Sequence, residues 1–301
     1  MHKCISCQSC RQLPIFHIRS DENAGNRQAV LRIWRWRKHT ESGEIMTKQD
    51  EIAVFDSGVG GISVLRHLRR LMPGERYLYF GDSANAPYGS RPTREVRELT
   101  FAAAERLYSR HSVKALVIAC NTATAAAVKQ LREAYPDRII IGIEPALKLA
   151  ADHFPGGRVG VMATEVTLRE EKFDHLLHRF QESCTVSSIP APGLVELVEA
   201  GLAQSPRTEA LLRPILTPYI GKLDALVLGC THYPFAAGTI SRILGPDTVL
   251  LDGGEGTARE TRRRLEAAGL LENGPGQVVI TNSSGDEAML RLSRKLLDSN
   301  I

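Results

Sequence analysis

The chain has 301 residues, of which 43% are hydrophobic and 24% are charged, a globular composition with room for two domains. It contains no apolar run of about 18 residues, which excludes a transmembrane helix and makes a membrane an unexpected partner. The formal net charge of +4 comes from residues 1–46, which hold eight Lys or Arg and four Asp or Glu. Residues 47–301, called the body of the chain below, hold 30 charges of each sign. This balance gives no support to nucleic-acid binding by the body.

The first 46 residues are rich in Arg, Ser, Asn and Gln without periodicity, so we predict a disordered basic leader, with Met46 as an alternative start. The spacing of Cys4, Cys7 and Cys10 is typical of metal ligands, but no further cysteine follows nearby. The basic, aromatic run at 31–39 leaves contact with acidic lipid or nucleic acid open as an alternative. The leader lacks a secretory core, and the body's scattered cysteines predict a reducing, cytoplasmic location.

From residue 52 onward, short β-branched runs alternate with amphipathic stretches of about ten residues or more. The runs predict strands at 52–56, 76–81, 115–119, 138–143, 158–162, 225–228, 248–251 and 277–281. The stretches predict helices at 61–72, 92–110, 122–134, 167–180, 207–220, 235–244, 256–268 and 285–297. Apolar strands that alternate with helices indicate parallel sheets covered on both faces, which is a doubly wound α/β architecture.

Two segments of the body match in sequence. Residues 115–120 read ALVIAC and residues 225–230 read ALVLGC, and the predicted strands at 52–56 and 158–162 both lead into turns that carry hydroxyl side chains. Buried strands also resemble one another by chance, but two matches in the same order favour a duplication. We therefore predict two similar doubly wound parallel-sheet domains related by a pseudo-twofold axis, with the active site between them.

Breaks in the pattern divide the body. The dipeptide at 144–145 and the glycines at 253–254 interrupt the alternation of elements. We predict a first α/β domain of residues 47–145 plus 253–301 and a second α/β domain of residues 146–252.

Small polar residues follow four of the predicted strands. Ligands of open α/β sheets bind outside the carboxyl ends of the strands, where free N–H groups at the start of a helix suit a carboxylate. The turn DSGVGG at 56–61 has neither the spacing of a dinucleotide-binding loop nor the lysine of a phosphate loop. Its glycines therefore indicate tight turning and close packing. The residues at the strand ends are Asp56, Ser57, Cys120, Asn121, Thr122, Thr164, Thr167, Cys230, Thr231 and His232.

A single cysteine after a buried strand is most often an inert core residue. Cys120 and Cys230 form a pair, however, because a pseudo-twofold axis would put their thiols on opposite sides of one cleft. We expect a helix N-terminus to lower the pKa of each thiol from about 8.5. A thiolate and a thiol on opposite faces of a carbon can remove one proton and deliver another, which inverts a stereocentre. Their sulfur atoms would lie about 6–8 Å apart, too far for a disulfide bond of about 2 Å.

Four motifs together resemble one enzyme family. They are FDSGVGGISVL at 55–65, YFGDSANAPYGSRP at 79–92, IACNTATA at 118–125 and LGCTHYPF at 228–235. Over about residues 52–297, the chain resembles the glutamate racemases of the aspartate/glutamate racemase family. The resemblance implies cofactor-independent conversion of L-glutamate to D-glutamate by two cysteines, with D-glutamate going to peptidoglycan synthesis. Some family members have an N-terminal extension that receives a cell-wall precursor as activator, which makes such a precursor a candidate partner.

The resemblance also implies residue roles. Cys120 and Cys230 match the catalytic cysteines, Asp56 is placed to assist Cys120, and His232 matches the group that assists Cys230. No metal ion is implied. The residues that match substrate contacts are Asp56, Ser57, Tyr88, Gly89, Asn121, Thr122, Thr164, Thr167, Glu199, Thr231 and His232.

Two departures from the family pattern weaken the assignment of roles to Thr167 and Glu199. Glu170 and Phe173 stand where the family often has a serine and a tyrosine after Thr167, and Ala191 stands where it often has a cysteine before Glu199. They leave the cysteine motifs untouched.

Other interpretations stay open. Asp56 could instead be an ordinary helix N-cap, and Tyr88 could be an aromatic residue packed within its loop. His232 could simply form a hydrogen bond to a nearby carbonyl group, and Glu199 could be a solvated position on a helix. Zinc ligation by His232 and the two cysteines competes with acid–base chemistry. The protein could also be a racemase of the same fold for aspartate or another amino acid, or a non-catalytic amino-acid-binding protein. Both a monomer and a homodimer fit the sequence.

Overall fold

The computed structural model describes residues 46–143, 146–169, 180 and 183–299. The predicted leader lies outside the described residues except for Met46, which packs against the hydrophobic core. Over the described ranges, no helix is long and apolar enough to cross a bilayer.

The strands of the described part are short and mostly buried. They are Glu51–Asp56 (β1), Arg76–Gly81 (β2), Val113–Ile118 (β3), Ile139–Gly142 (β4), Arg158–Ala163 (β5), Thr185–Pro190 (β6), Ala225–Leu228 (β7), Val249–Leu251 (β8) and Gln277–Asn282 (β9). Every side chain of β3, β4 and β7 is buried, which is what a sheet covered on both faces requires.

α-Helices connect the strands. They are Ile62–Leu71 (α1), Thr93–Arg110 (α2), Asn121–Ala134 (α3), Ala146–His153 (α4), Glu165–Arg169 (α5), Leu194–Glu199 (α6), Pro206–Leu216 (α7), Ala237–Leu244 (α8), Gly254–Ala267 (α9) and Glu287–Asp298 (α10). Short 3-10 helices occur at Ser83–Asn85, Tyr88–Ser90, Thr217–Tyr219 and Tyr233–Ala236.

The strands form two parallel sheets with one repeated order. The first sheet runs β4-β3-β1-β2-β9 and the second runs β8-β7-β5-β6. Apart from β9, which extends the first sheet beside β2, each strand of one sheet has a counterpart in the other. This confirms the predicted α/β class with two doubly wound parallel sheets, and it makes β3 and β7 counterparts. The domain boundaries near 145 and 253 stay predictions.

Three elements were absent from the sequence-based prediction. Strand β6 lies at the edge of its sheet and has only one buried side chain, so it lacks the apolar run used to find strands. Helices α4 and α6 have only eight and six residues, too few for a clear helical period. The helix predicted at 167–180 is described only as Glu165–Arg169. The helix predicted at 207–220 ends at Leu216, and Pro218 lies in the 3-10 turn that follows.

A buried ion pair ties the amino-terminal end of the first sheet together. Lys114 in β3 and Glu75 before β2 are both fully buried, and Nζ lies 2.6 Å from Oε2. The ammonium group also donates to the carbonyl groups of Lys48 and Leu270, and Glu75 accepts a bond from the Glu272 amide. Four chain segments therefore meet at one desolvated pair of charges.

Replacing one charge of this pair should destabilise the fold strongly. Lys114→Met leaves the Glu75 carboxylate buried without its cation, so the free energy of unfolding should fall by about 3–5 kcal/mol in urea titrations. The double variant with Glu75→Gln should regain most of the loss. Arg259→Met, which breaks the exposed Arg259–Glu255 pair, is the control and should change stability by less than about 0.5 kcal/mol. Equal losses of unfolding free energy in Lys114→Met and Arg259→Met would contradict the stabilising role of the buried ion pair.

Candidate active site

One cavity of about 390 Å³ collects side chains from the carboxyl ends of both sheets. Because the strands of each sheet are parallel, the loops after β1, β3, β5 and β7 meet there. Eleven of the residues predicted for the site line it: Ser57, Tyr88, Gly89, Cys120, Asn121, Thr122, Thr164, Thr167, Cys230, Thr231 and His232. Asp56 and Glu199 do not line the cavity, and their contact with a substrate stays a prediction.

Cys120 ends the loop after β3 and is the N-cap of α3. Its Sγ accepts a hydrogen bond from the Ala123 amide at 3.4 Å and lies 3.6 Å from Ser57 Oγ. Burial, together with the nearby charge of Asp56, raises the pKa of the Cys120 thiol to about 12. The predicted lowering of this pKa is therefore wrong, because desolvation of the thiolate outweighs the bonds at the helix terminus. Near neutral pH, Cys120 is a thiol.

Cys230 has a different environment after β7. Its Sγ lies 3.7 Å from Nδ1 of His232, and Nε2 of His232 lies 2.6 Å from Oε1 of Glu199. Burial alone would lower the pKa of His232, but the contacts with Cys230 and Glu199 raise it well above its usual value. The next element is the 3-10 helix Tyr233–Ala236, so Cys230 does not stand at the start of an α-helix as predicted. An imidazolium ion, rather than a helix terminus, is the positive group beside this thiol.

Asp56 is fully buried behind the cavity. One carboxylate oxygen accepts the Gly58 amide at 3.1 Å and the other accepts Thr231 Oγ1 at 3.0 Å. Burial raises the pKa of Asp56 to about 6, although the positive charge of His232 opposes the shift. Glu199 lies in a comparable position, since Oε1 also accepts the Val59 amide at 2.8 Å. Both carboxylates thus link the turn after β1 to the loop after β7.

One part of the cavity wall is made of neutral donors and acceptors. Thr164 and Thr167 pair through their hydroxyl groups at 2.9 Å, and Thr122 lies 3.4 Å from Thr167. Asn121 Nδ2 is a buried donor that has no hydrogen-bond partner among the described residues, so it is available to a ligand. Tyr88 is held by its hydroxyl group, which donates to Asp82 Oδ2 at 2.7 Å. The wall can therefore bind carboxylate or amino groups through uncharged contacts.

Most residues on one side of the cavity were not predicted from the sequence. Residues around the start of α6 line it, and so does Glu165 at the start of α5. The signals for the α6 side were the family match at Glu199 and the departure at Ala191, because a six-residue helix carries no readable period. Asp82 was also missed, although it stands in the segment at 79–92 and is buried after β2. The lining residues on the α6 side are Ala191, Pro192, Gly193, Val195 and Glu196.

Few ionisable side chains stand in the cavity wall. Among the described residues that line it, the ionisable side chains other than Tyr88 and the thiols are Glu165, Glu196 and His232, and none is Lys or Arg. In the same part of the chain, no three His, Cys, Asp or Glu side chains are grouped so as to hold a metal ion.

Known proteins with similar sequences identify the family of this chain. A family model described as Asp/Glu/Hydantoin racemase matches residues 60–261. The chain belongs to this racemase family. A glutamate racemase of Clostridium botulinum is 46% identical over 256 residues, which cover 84% of this chain and 99% of the relative. The family resemblance proposed from the motifs is thereby confirmed.

Solved structures of other racemases share the fold. Glutamate racemase isoform RacE1 from Bacillus anthracis has a TM-score of 0.76 and 32% identity, with 84% of this chain and 96% of that chain covered. Glutamate racemase from Escherichia coli, solved in complex with L-glutamate and the activator UDP-MurNAc-ala, has a TM-score of 0.74 and 30% identity, with 82% and 95% covered. Two racemase structures thus match the two-sheet architecture over most of both chains.

The burial of Asp56 in this racemase predicts a pH-dependent stability. Between about pH 4 and about pH 6 the unfolded chain loses the Asp56 proton while the folded chain keeps it, because the folded pKa is about 6. The free energy of unfolding should therefore fall by about 3 kcal/mol as the pH rises through this window. Asp56→Asn should remove that decrease and be the more stable protein above about pH 6. Urea titrations across the window test this, and equal pH dependence in both proteins would contradict it.

Proposed function

We propose that this protein interconverts L- and D-glutamate by proton transfer between the α-carbon and the thiols of Cys120 and Cys230. The observation that supports this most is that both thiols line one cavity, each at the end of a counterpart strand of the duplicated sheets. The similarity to glutamate racemases over most of the chain supports glutamate as the substrate.

In this proposal Cys230 acts first as the base. Nδ1 of His232 lies 3.7 Å from Sγ and Nε2 lies 2.6 Å from Oε1 of Glu199, so the ring is held where it can exchange a proton with Cys230. The thiolate takes the α-proton of one enantiomer, so a C–H bond breaks and an S–H bond forms. The electron pair stays on the substrate as a carbanion that its carboxylate group delocalises.

Cys120 then acts as the acid on the opposite face. Its pKa of about 12 keeps the thiol protonated near neutral pH and available as a donor. Its S–H bond breaks as a new C–H bond forms, which completes the inversion. The resulting thiolate would accept hydrogen bonds from the Ala123 amide and the Ser57 hydroxyl group. The other enantiomer reacts through the same steps in reverse.

Neutral groups would hold the substrate during the transfer. The N-terminus of α3 presents free backbone N–H groups beside Cys120, and such groups bind carboxylates. Within the described part of the chain Asn121 Nδ2 has no partner, and the hydroxyl groups of Thr122, Thr164 and Thr167 are close together. We assign the carboxylate and amino groups of glutamate to these contacts together with Ser57, Tyr88, Gly89 and Thr231.

The wider role follows from the proposed chemistry. A pair of thiols supplies both the base and the acid, so we propose a reaction without a cofactor, whose D-glutamate serves peptidoglycan synthesis. The free thiols of the described part fit a reducing compartment, which supports a cytoplasmic location. Because the Escherichia coli relative was solved with the activator UDP-MurNAc-ala, a cell-wall precursor is the class of activator to test.

Single cysteine replacements test the two-thiol mechanism. Cys120→Ser and Cys230→Ser should each lower glutamate racemisation by at least about 10²-fold, because a serine hydroxyl group is a far weaker acid than a thiol and does not ionise near neutral pH to act as the base. Racemisation is followed by circular dichroism and α-deuterium incorporation by NMR in D₂O. Cys184→Ser is the matched control, since Cys184 is buried outside the cavity, and it should keep the parental rate. Near-normal racemisation by either active-site variant would refute the mechanism.

A further inference from the structure

The glycine-rich turn after β1 packs against the Cys230 loop and not only against the cavity. A Cβ atom added to Gly60 would lie 2.4 Å from Nδ1 of His232 and 2.5 Å from Oγ1 of Thr231. A Cβ atom on Gly58 would lie 1.9 Å from Oε1 of Glu199. These neighbours have little freedom to move, because Thr231 and His232 are buried and His232 is bonded to Glu199. The turn is therefore shaped to receive the loop that carries the second thiol.

Ser63 fixes this contact from the first turn of α1. Its side chain is buried, and Oγ lies 2.9 Å from the carbonyl oxygen of Gly60 and 2.9 Å from that of Thr231. The hydroxyl hydrogen is shared between the two carbonyl groups, one in the turn and one in the loop. The Thr231 carbonyl belongs to the peptide that joins Thr231 to His232, directly after Cys230. One hydroxyl group thus connects the two backbones.

We propose that Ser63 is a positioning residue for the Cys230 half of the active site. By holding the Thr231 carbonyl, it orients the peptide between Thr231 and His232 and so the contact between the Cys230 thiol and the His232 imidazole. Ser63 is not among the described residues that line the cavity, and it acts through the loop without touching the substrate. This role rests on the proposed two-thiol function, and it assigns to the turn a task beyond close packing.

A role confined to one thiol has a kinetic signature. The two enantiomers have equal free energies, so kcat/KM must fall by the same factor in both directions when Ser63 is replaced. The α-deuterium isotope effect reports only the step that breaks the C–H bond, and Cys230 breaks it in one enantiomer alone. Replacement of Ser63 should make C–H cleavage by Cys230 more rate-limiting, which raises the isotope effect for the enantiomer whose proton Cys230 removes. The isotope effect for the other enantiomer should stay unchanged or become smaller.

Ser63→Ala is the main test, with L- and D-glutamate and their α-deuterated forms as substrates. We expect kcat/KM to fall about tenfold in both directions, as for the loss of about 1.4 kcal/mol of transition-state stabilisation. The isotope effect on kcat/KM should rise for one enantiomer only. Ser63→Thr keeps the hydroxyl group and should restore both the rate and the isotope effect. Gly60→Ala displaces the same loop and should produce the same one-sided change.

Ser293→Ala is the matched control. Ser293 is a buried serine in α10 whose hydroxyl group donates to the Met289 carbonyl, away from the cavity. It should melt at about the temperature of Ser63→Ala but racemise like the parent. Parental kinetics in Ser63→Ala, or an isotope effect that rises equally for both enantiomers, would overturn the positioning role while the parent still racemises glutamate. A parent that fails to racemise glutamate would overturn the proposed function and this role together.

Discussion

The hydrogen bond from Thr231 Oγ1 to the Asp56 carboxylate holds the two halves of the site together. Asp56 is fully buried, and burial raises its pKa to about 6, so an ionised carboxylate there costs stability. The bonds from Thr231 and the Gly58 amide offset part of that cost. The same carboxylate raises the pKa of Cys120, while the imidazolium of His232 lowers that of Asp56. One buried charge therefore links both thiols.

Cys120 and Cys230 follow counterpart strands of the two sheets, but the surroundings of the two cysteines make them chemically different. Cys120 is buried at the start of a helix, where desolvation keeps it protonated. Cys230 is more exposed and faces an imidazole whose raised pKa depends on the thiol itself and on Glu199. A duplicated fold thus places similar residues symmetrically, and the loops break the symmetry. In the proposed mechanism each inversion needs one protonated and one ionised sulfur, and the two cysteines exchange these roles for the opposite enantiomer.

The sequence predicted most of the fold and eleven of the residues that line the cavity. Apolar strands and the repeat that ends in Cys120 and Cys230 were readable, because periodicity and spacing lie within short segments. The pKa of Cys120 was predicted in the wrong direction, since burial depends on distant parts of the chain. The link between Glu199 and Val59 was invisible for the same reason: 140 positions separate the two residues. The α6 side of the cavity was missed because so short a helix has no period.

The two-thiol proposal requires that the sulfur atoms of Cys120 and Cys230 face one α-carbon from opposite sides. A crystal structure of the protein with D-glutamate bound tests it most directly, through the distance between the Cys120 and Cys230 sulfur atoms. The account predicts a separation of about 6–8 Å, with the α-carbon roughly 3–3.5 Å from each sulfur. A separation above about 12 Å in the closed, liganded enzyme would contradict the facing pair.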